Sequence, residues 1–196
     1  MRLLFVLTII FCWANLTLGQ TKHLTLEPNH STLGFEVSIA GGATKVTGKF
    51  MESDLELTYT DGDWTKSAIN FRIKAASINT GIPDRDKHLQ TADFFEVEKY
   101  PVITFVSKTI EKIDTTHFRI NGTFTMHGVS KEMSIPFEVT YEDGNTIGIH
   151  LETMVNRITY GVGVDFKHSA IENFVSEEIV VKFDFWTKRD KRKEKK

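Results

Sequence analysis

Apolar and polar residues alternate along most of this chain, and no long segment carries the three-to-four-residue apolar spacing of an amphipathic helix. Sheets made of such segments have one apolar face and only other strands to cover it. Leu33, Phe35, Val37 and Ile39 fall on one side of an extended segment, with Glu36 and Ser38 on the other. The same reading groups Leu55, Leu57 and Tyr59; Ile69, Phe71 and Ile73; and Phe118, Ile120, Phe124 and Met126. It also groups Ile135, Phe137, Val139 and Tyr141; Ile147, Ile149 and Leu151; and Ile179, Val181, Phe183 and Phe185. Val46, Gly48 and Phe50 form a shorter set, and Ile103 with Phe105 another. Gly41-Gly42, Asp61-Gly62 and Asp143-Gly144 are hairpin signals between neighbours, so the strand order is antiparallel. The inner face must then close on itself, as a barrel or a two-sheet sandwich, which the period does not separate. Inward phenylalanines leave irregular gaps, and a barrel of about eight strands can hold one elongated ligand among them. A fully packed core fits the same pattern equally well.

The ends of the chain read differently. Arg2 precedes a 12-residue, mostly apolar run from Leu3 to Ala14, and Thr17 and Gly19 stand at −3 and −1 before Gln20. This is the form of a cleavable export signal over residues 1–19, which predicts a periplasmic or secreted protein. A membrane span needs about 20 apolar residues, and Asn15, Thr17 and Gln20 interrupt too soon. Cys12, the sole cysteine, lies inside that segment, so the mature chain is expected to stand without disulfides. Residues 20–187 are the right size for one domain. They carry 16 basic and 24 acidic side chains, a poor balance for a nucleic-acid binder. Lys188 to Lys196 hold seven basic and two acidic residues, which predicts a solvated, disordered tail. Transient contact with an anionic membrane is the alternative for that tail.

Between Ser77 and Ser107 the alternation breaks. Asp84 to Leu89 predicts a short helix, capped by Asp84, in a lid that also carries Phe94 and Phe95. Asp84 and His88 at i and i+4 would share a helix face, and with Asp86 they are the candidates for an enzyme or metal site. A third metal ligand at fixed spacing is missing, and no nucleophile elbow, phosphate loop or dinucleotide fingerprint is present. No catalytic residue, metal or cofactor is therefore assigned. A structural salt bridge to an acidic neighbour is the favoured reading of Arg157, over contact with a ligand head group.

An ordered series of short motifs adds to this. It comprises Pro-Asn-His-Ser (Pro28 to Ser31), Ser-Ile-Asn-Thr-Gly (Ser77 to Gly81), Arg85-Asp86 with His88-Leu89, and Asp93-Phe94-Phe95. Tyr100-Pro101, Gly122 to Thr125, His127-Gly128-Val129, Asn156-Arg157 and Tyr160-Gly161 follow. In this the chain resembles the YceI-like family of exported, lipocalin-like, polyisoprenoid-binding proteins. The resemblance implies an all-β, eight-stranded antiparallel lipocalin-like barrel with a short helical insertion, holding a long lipid. It departs from the family pattern three residues before Ser31, where the family often has Asp and this chain has Pro28, preceded by Glu27.

On such a barrel the expected ligand-binding residues are Phe35, Val37, Phe50, Phe71, Leu89, Phe94, Phe95, Phe105, Phe124, Met126, Phe137 and Phe183. None is charged, so the pocket suits an uncharged tail, because an unpaired buried charge is very costly. A charged head would sit at a wet mouth near Arg85, His88 or Arg157. An isoprenoid quinone, with its neutral head, fits better than a pyrophosphate, and a fatty-chain amphiphile is a further option. Each buried methylene is worth ~0.8 kcal/mol against water, but transfer from a bilayer is nearly neutral. Shielding a lipid in transit or storage is therefore the expected role, with a small-molecule enzyme or a ligand-free, stress-related structural domain as alternatives. The sequence leaves a homodimer open.

Overall fold

The structure, a computed structural model, describes residues 20–190, 192 and 193. The expected export signal lies outside them. The chain forms β1 (Thr21–Leu26), β2 (Thr32–Ile39), β3 (Thr44–Phe50), β4 (Ser53–Thr60), β5 (Ala68–Lys74) and β6 (Ile78–Asn79). A short helix α1 (Pro83–Leu89) follows, then β7 (Val102–Lys112), β8 (His117–Met126), β9 (Val129–Glu142), β10 (Ile147–Asn156) and β11 (Val175–Arg189). All pairings are antiparallel, and the order β1-β4-β5-β7-β8-β9-β10-β11 closes on itself through β1 and β11. This is the expected eight-stranded barrel.

The remaining short strands lengthen three of those eight. β1 and β2 pair in succession with β11, Leu26 opposite Thr187 and Thr32 opposite Asp184, so they are halves of one strand. A tight turn at Pro28–His30 interrupts it, which is where proline, lacking an N–H for the ladder, is tolerated. β4 pairs with β1 and β3 with β2, making the next strand, broken at Met51 and Glu52. β5 and β6 continue the third in the same way.

The two ends of the barrel differ. At one end Trp64 packs against Tyr59, Phe118 and Phe137 with ring centroids 5.1 to 5.5 Å apart. Glu142 accepts hydrogen bonds from the Tyr59 hydroxyl and, at 3.2 Å, from the Trp64 Nε1–H. Burial, with that carboxylate as partner, pushes the Tyr59 phenol well above its ordinary pKa. These contacts fill the closed end. The opposite end is bordered by residues 80–101, the His127-Gly128 turn and residues 157–174.

Three expectations are corrected here. Tyr141 faces outward, 44 % exposed, because a bulge where β9 meets β10 reverses the alternation beyond Val139; its ring packs on Trp186 instead. The α1 cap is Ile82, with Pro83 in the first turn, so Asp84 caps nothing and sits in water beside Lys87. The last strand continues past Thr187 to Arg189, with Lys188 paired to Glu27, so the first residues of the expected tail belong to the barrel wall.

Candidate ligand-binding cavity

Between the closed end and the mouth the barrel encloses a cavity of about 360 Å³. Among the strands, β2, β10 and β11 give the wall its largest shares, mostly at alternate positions, as the pleat dictates. Phe35, Val37, Phe50, Phe71, Leu89, Phe94, Phe95, Phe124, Met126 and Phe183 all line it. Phe105 and Phe137 do not. Phe105 lies in the packed core, stacked on Phe71 at 5.5 Å. Phe137 belongs to the aromatic plug of the closed end, 5.5 Å from Phe118.

The lid segment is fastened by its own polar groups. Asp86 Oδ1 accepts from the Thr80 N–H at 2.8 Å and from its hydroxyl at 2.5 Å, while Arg85 donates to Thr80 Oγ1 and O. His88 Nε2 lies 2.8 Å from Asp93 Oδ2, and its ring packs edge-on to Phe94. Asp84, Asp86 and His88 thus have separate partners and do not converge. Among the described residues no group of three metal-ligating side chains forms.

Arg157 lines the cavity but does not form the expected salt bridge to an acidic neighbour among the described residues. It is buried, and its guanidinium donates to four backbone carbonyls: Ser176, Val162, Gly163 and Val175, at 2.8 to 3.0 Å. Burial lowers its pKa, while Glu177 nearby opposes that shift without bridging to it. The residue staples the loop between β10 and β11. Gly163 is required beside it: φ is +65°, and a Cβ would stand 2.7 Å from Arg157 Nη1 and 2.9 Å from the Phe94 ring.

That loop carries cavity residues which periodicity did not reveal. Val162, Phe166 and Phe174 line the hollow, and Phe166 lies 5.0 Å from Phe94 and 5.8 Å from His88. The lid and the loop therefore meet through aromatic rings. Two phenylalanines in a glycine-containing stretch without a regular period were the available signal. Ile78, Met133, Thr153 and Val155 complete parts of the wall. The charged residues of the lining are Arg85 and Arg157, with the titratable His88, all near the mouth.

The description "YceI-like domain" fits residues 24–186. A UPF0312 protein of Photorhabdus laumondii is 29% identical over 129 residues, 66% of each chain. A UPF0312 protein of Shewanella baltica is 31% identical over 109 residues, 56% of each. The chain thus spans about two thirds or less of these curated relatives. Among solved structures, the YCEI protein of Campylobacter jejuni is 29% identical with a TM-score of 0.66, over 76% of this chain and 86% of that one. A polyisoprenoid binding domain from Saccharophagus degradans gives 0.68 at 18% identity, covering 85% and 98%. BcnA of Burkholderia cenocepacia gives 0.73 at 18% identity, covering 82% and 98%. The last two likenesses concern the fold.

Proposed function

We propose, from the premise that this chain belongs to the YceI-like family, that it is an exported, non-catalytic protein that sequesters a long-chain isoprenoid or similar lipid. The observation that carries this is the cavity itself: its walls are apolar along their length and its charged residues stand near the mouth. A fold shared with a polyisoprenoid binding domain supports the reading. So does the separation of Asp84, Asp86 and His88, which leaves the enzyme alternative without a common centre.

Size limits how much chain fits. An engineered apolar cavity of ~150 Å³ accepts one benzene, so 360 Å³ accommodates roughly 14 carbons, or about three isoprene units. A neutral head such as a quinone is compatible with the wall, and longer chains would extend through the mouth. Water exclusion is the useful contribution, since the bilayer already solvates the chain well. Export is supported by the Leu3 to Ala14 run.

The test is extraction of natively purified protein followed by mass spectrometry, with reloading of the stripped protein by a short polyprenol. One apolar molecule per chain, recovered or reloaded, is expected. Recovery of nothing, together with failure to reload, would overturn the proposal.

A further inference from the structure

The wall of the barrel has a seam. Thr25 pairs with Glu56 and Gly34 with Lys49, but between these points the two neighbouring strands share no ladder pairing. The parting is caused by the Pro28–His30 turn on one strand and the break at Met51 and Glu52 on the other. A cleft of about 790 Å³ lies on the outside of this seam. Phe50 and Ile73 line both this cleft and the internal cavity, so a single layer of side chains separates the two. Phe50 is only half-buried, held by Phe35 and Phe95 at 5.8 and 6.1 Å.

The charges around the two hollows are not equivalent. Arg85, His88 and Arg157 at the mouth are engaged by Thr80, by Asp93 and by backbone carbonyls. In the cleft, Lys74 is paired with Glu52 at 2.9 Å. Among the described residues, Lys49 and Arg72, also in the cleft, have no hydrogen bond or ion pair from their side chains; Asp54 lies across the ladder from Arg72 without bridging to it. Of the cationic side chains lining either hollow, these two are the ones left to meet an anion.

We infer that the side cleft is a head-group subsite for anionic amphiphiles, with Lys49 and Arg72 receiving a phosphate or carboxylate and the chain passing Phe50 into the cavity. This rests on the reading of the cavity as a lipid site and adds a second class of ligand. Neutral lipids need only the cavity; acidic ones use both compartments. The head stays in water beside two cations, which avoids burying a charge.

The experiment is calorimetric titration of the purified chain with farnesol and farnesyl phosphate, which share one hydrocarbon chain. Lys49 and Arg72 are both exposed, so the double variant Lys49→Gln/Arg72→Gln should fold. It is expected to bind farnesyl phosphate about tenfold more weakly and farnesol within about twofold of the parent, and the two ligands should compete. An unchanged ratio between them, or simultaneous independent binding, would overturn the subsite. Inorganic phosphate displacing farnesyl phosphate's head while binding equally well alone would mark a site for free anions and overturn the amphiphile assignment. If the parent binds neither probe, the cavity reading fails first and this inference with it.

Discussion

Removing Arg157 would strand four carbonyl oxygens at once, so the residue has a structural role in holding its loop. Each buried carbonyl left without a donor costs about 1–3 kcal/mol, part of it recovered by water. Arg157→Gln is expected to lower stability by about 3 kcal/mol in urea denaturation. Arg157→Lys should recover little, because an ammonium cannot span the same fork. Asp114 makes a prediction of a different kind. The backbone N–H groups of Thr116 and His117, with the His117 ring, hold its carboxyl down to about 2. A carboxylate depressed in the folded state stabilises it above the unfolded value of about 3.9, and that contribution is lost as pH falls through about 2. Asp114→Asn should therefore be less stable than the parent near neutrality, with the gap closing between pH ~4 and ~2 in denaturation at stepped pH. At this scale the sequence distinguished inward from outward for most positions. It could not separate Phe105 and Phe137 from the phenylalanines that border empty space, since parity assigns a face but not a height along the barrel.

Among the elements, the strands were legible because each keeps a period of two over several residues, and the bulges were not. A bulge adds one residue and exchanges the faces beyond it, as at Tyr141, and beyond the irregularity near Lys108 that buries Ile110. The loop from Arg157 to Val175 has no period at all, so its contribution to the cavity emerged only from packing. The connection between β8 and β9 depends on local backbone geometry: His127 and Gly128 both take positive φ, 51° and 75°. Gly128 also lies under the Tyr100 ring, 2.5 Å from where a Cβ would stand. Gly128→Val should cost ~1–3 kcal/mol and loosen the lid edge at Tyr100, seen as a lower denaturation midpoint and faster amide exchange in residues 96–100. Faster exchange spread evenly over the barrel would instead indicate that the turn is not coupled to the lid.

For the molecule as a whole, the choice between barrel and sandwich was beyond the alternation. Closure is decided by β11, whose length lets it pair with β10 along one edge and with β1 and β2 along the other. A ligand that binds only the closed barrel stabilises it by mass action, by about 2.7 kcal/mol at a hundredfold excess over Kd. Stripping bound lipid should accordingly lower Tm by several degrees, and calorimetry of native against delipidated protein checks this; identical melting would count against an occupied interior. The same topology brings the start of β1 and the end of β11 together. Thr21 begins the barrel beside Thr60, and the Asp190 N–H reaches the His23 carbonyl at 2.8 Å, at the end that Trp64 plugs. Immobilised on a bead through a cysteine introduced at Thr21 or Asp190, the barrel would present its opening to the bulk liquid, so cargo exchange with an added acceptor can be followed on a surface without the attachment standing in the way.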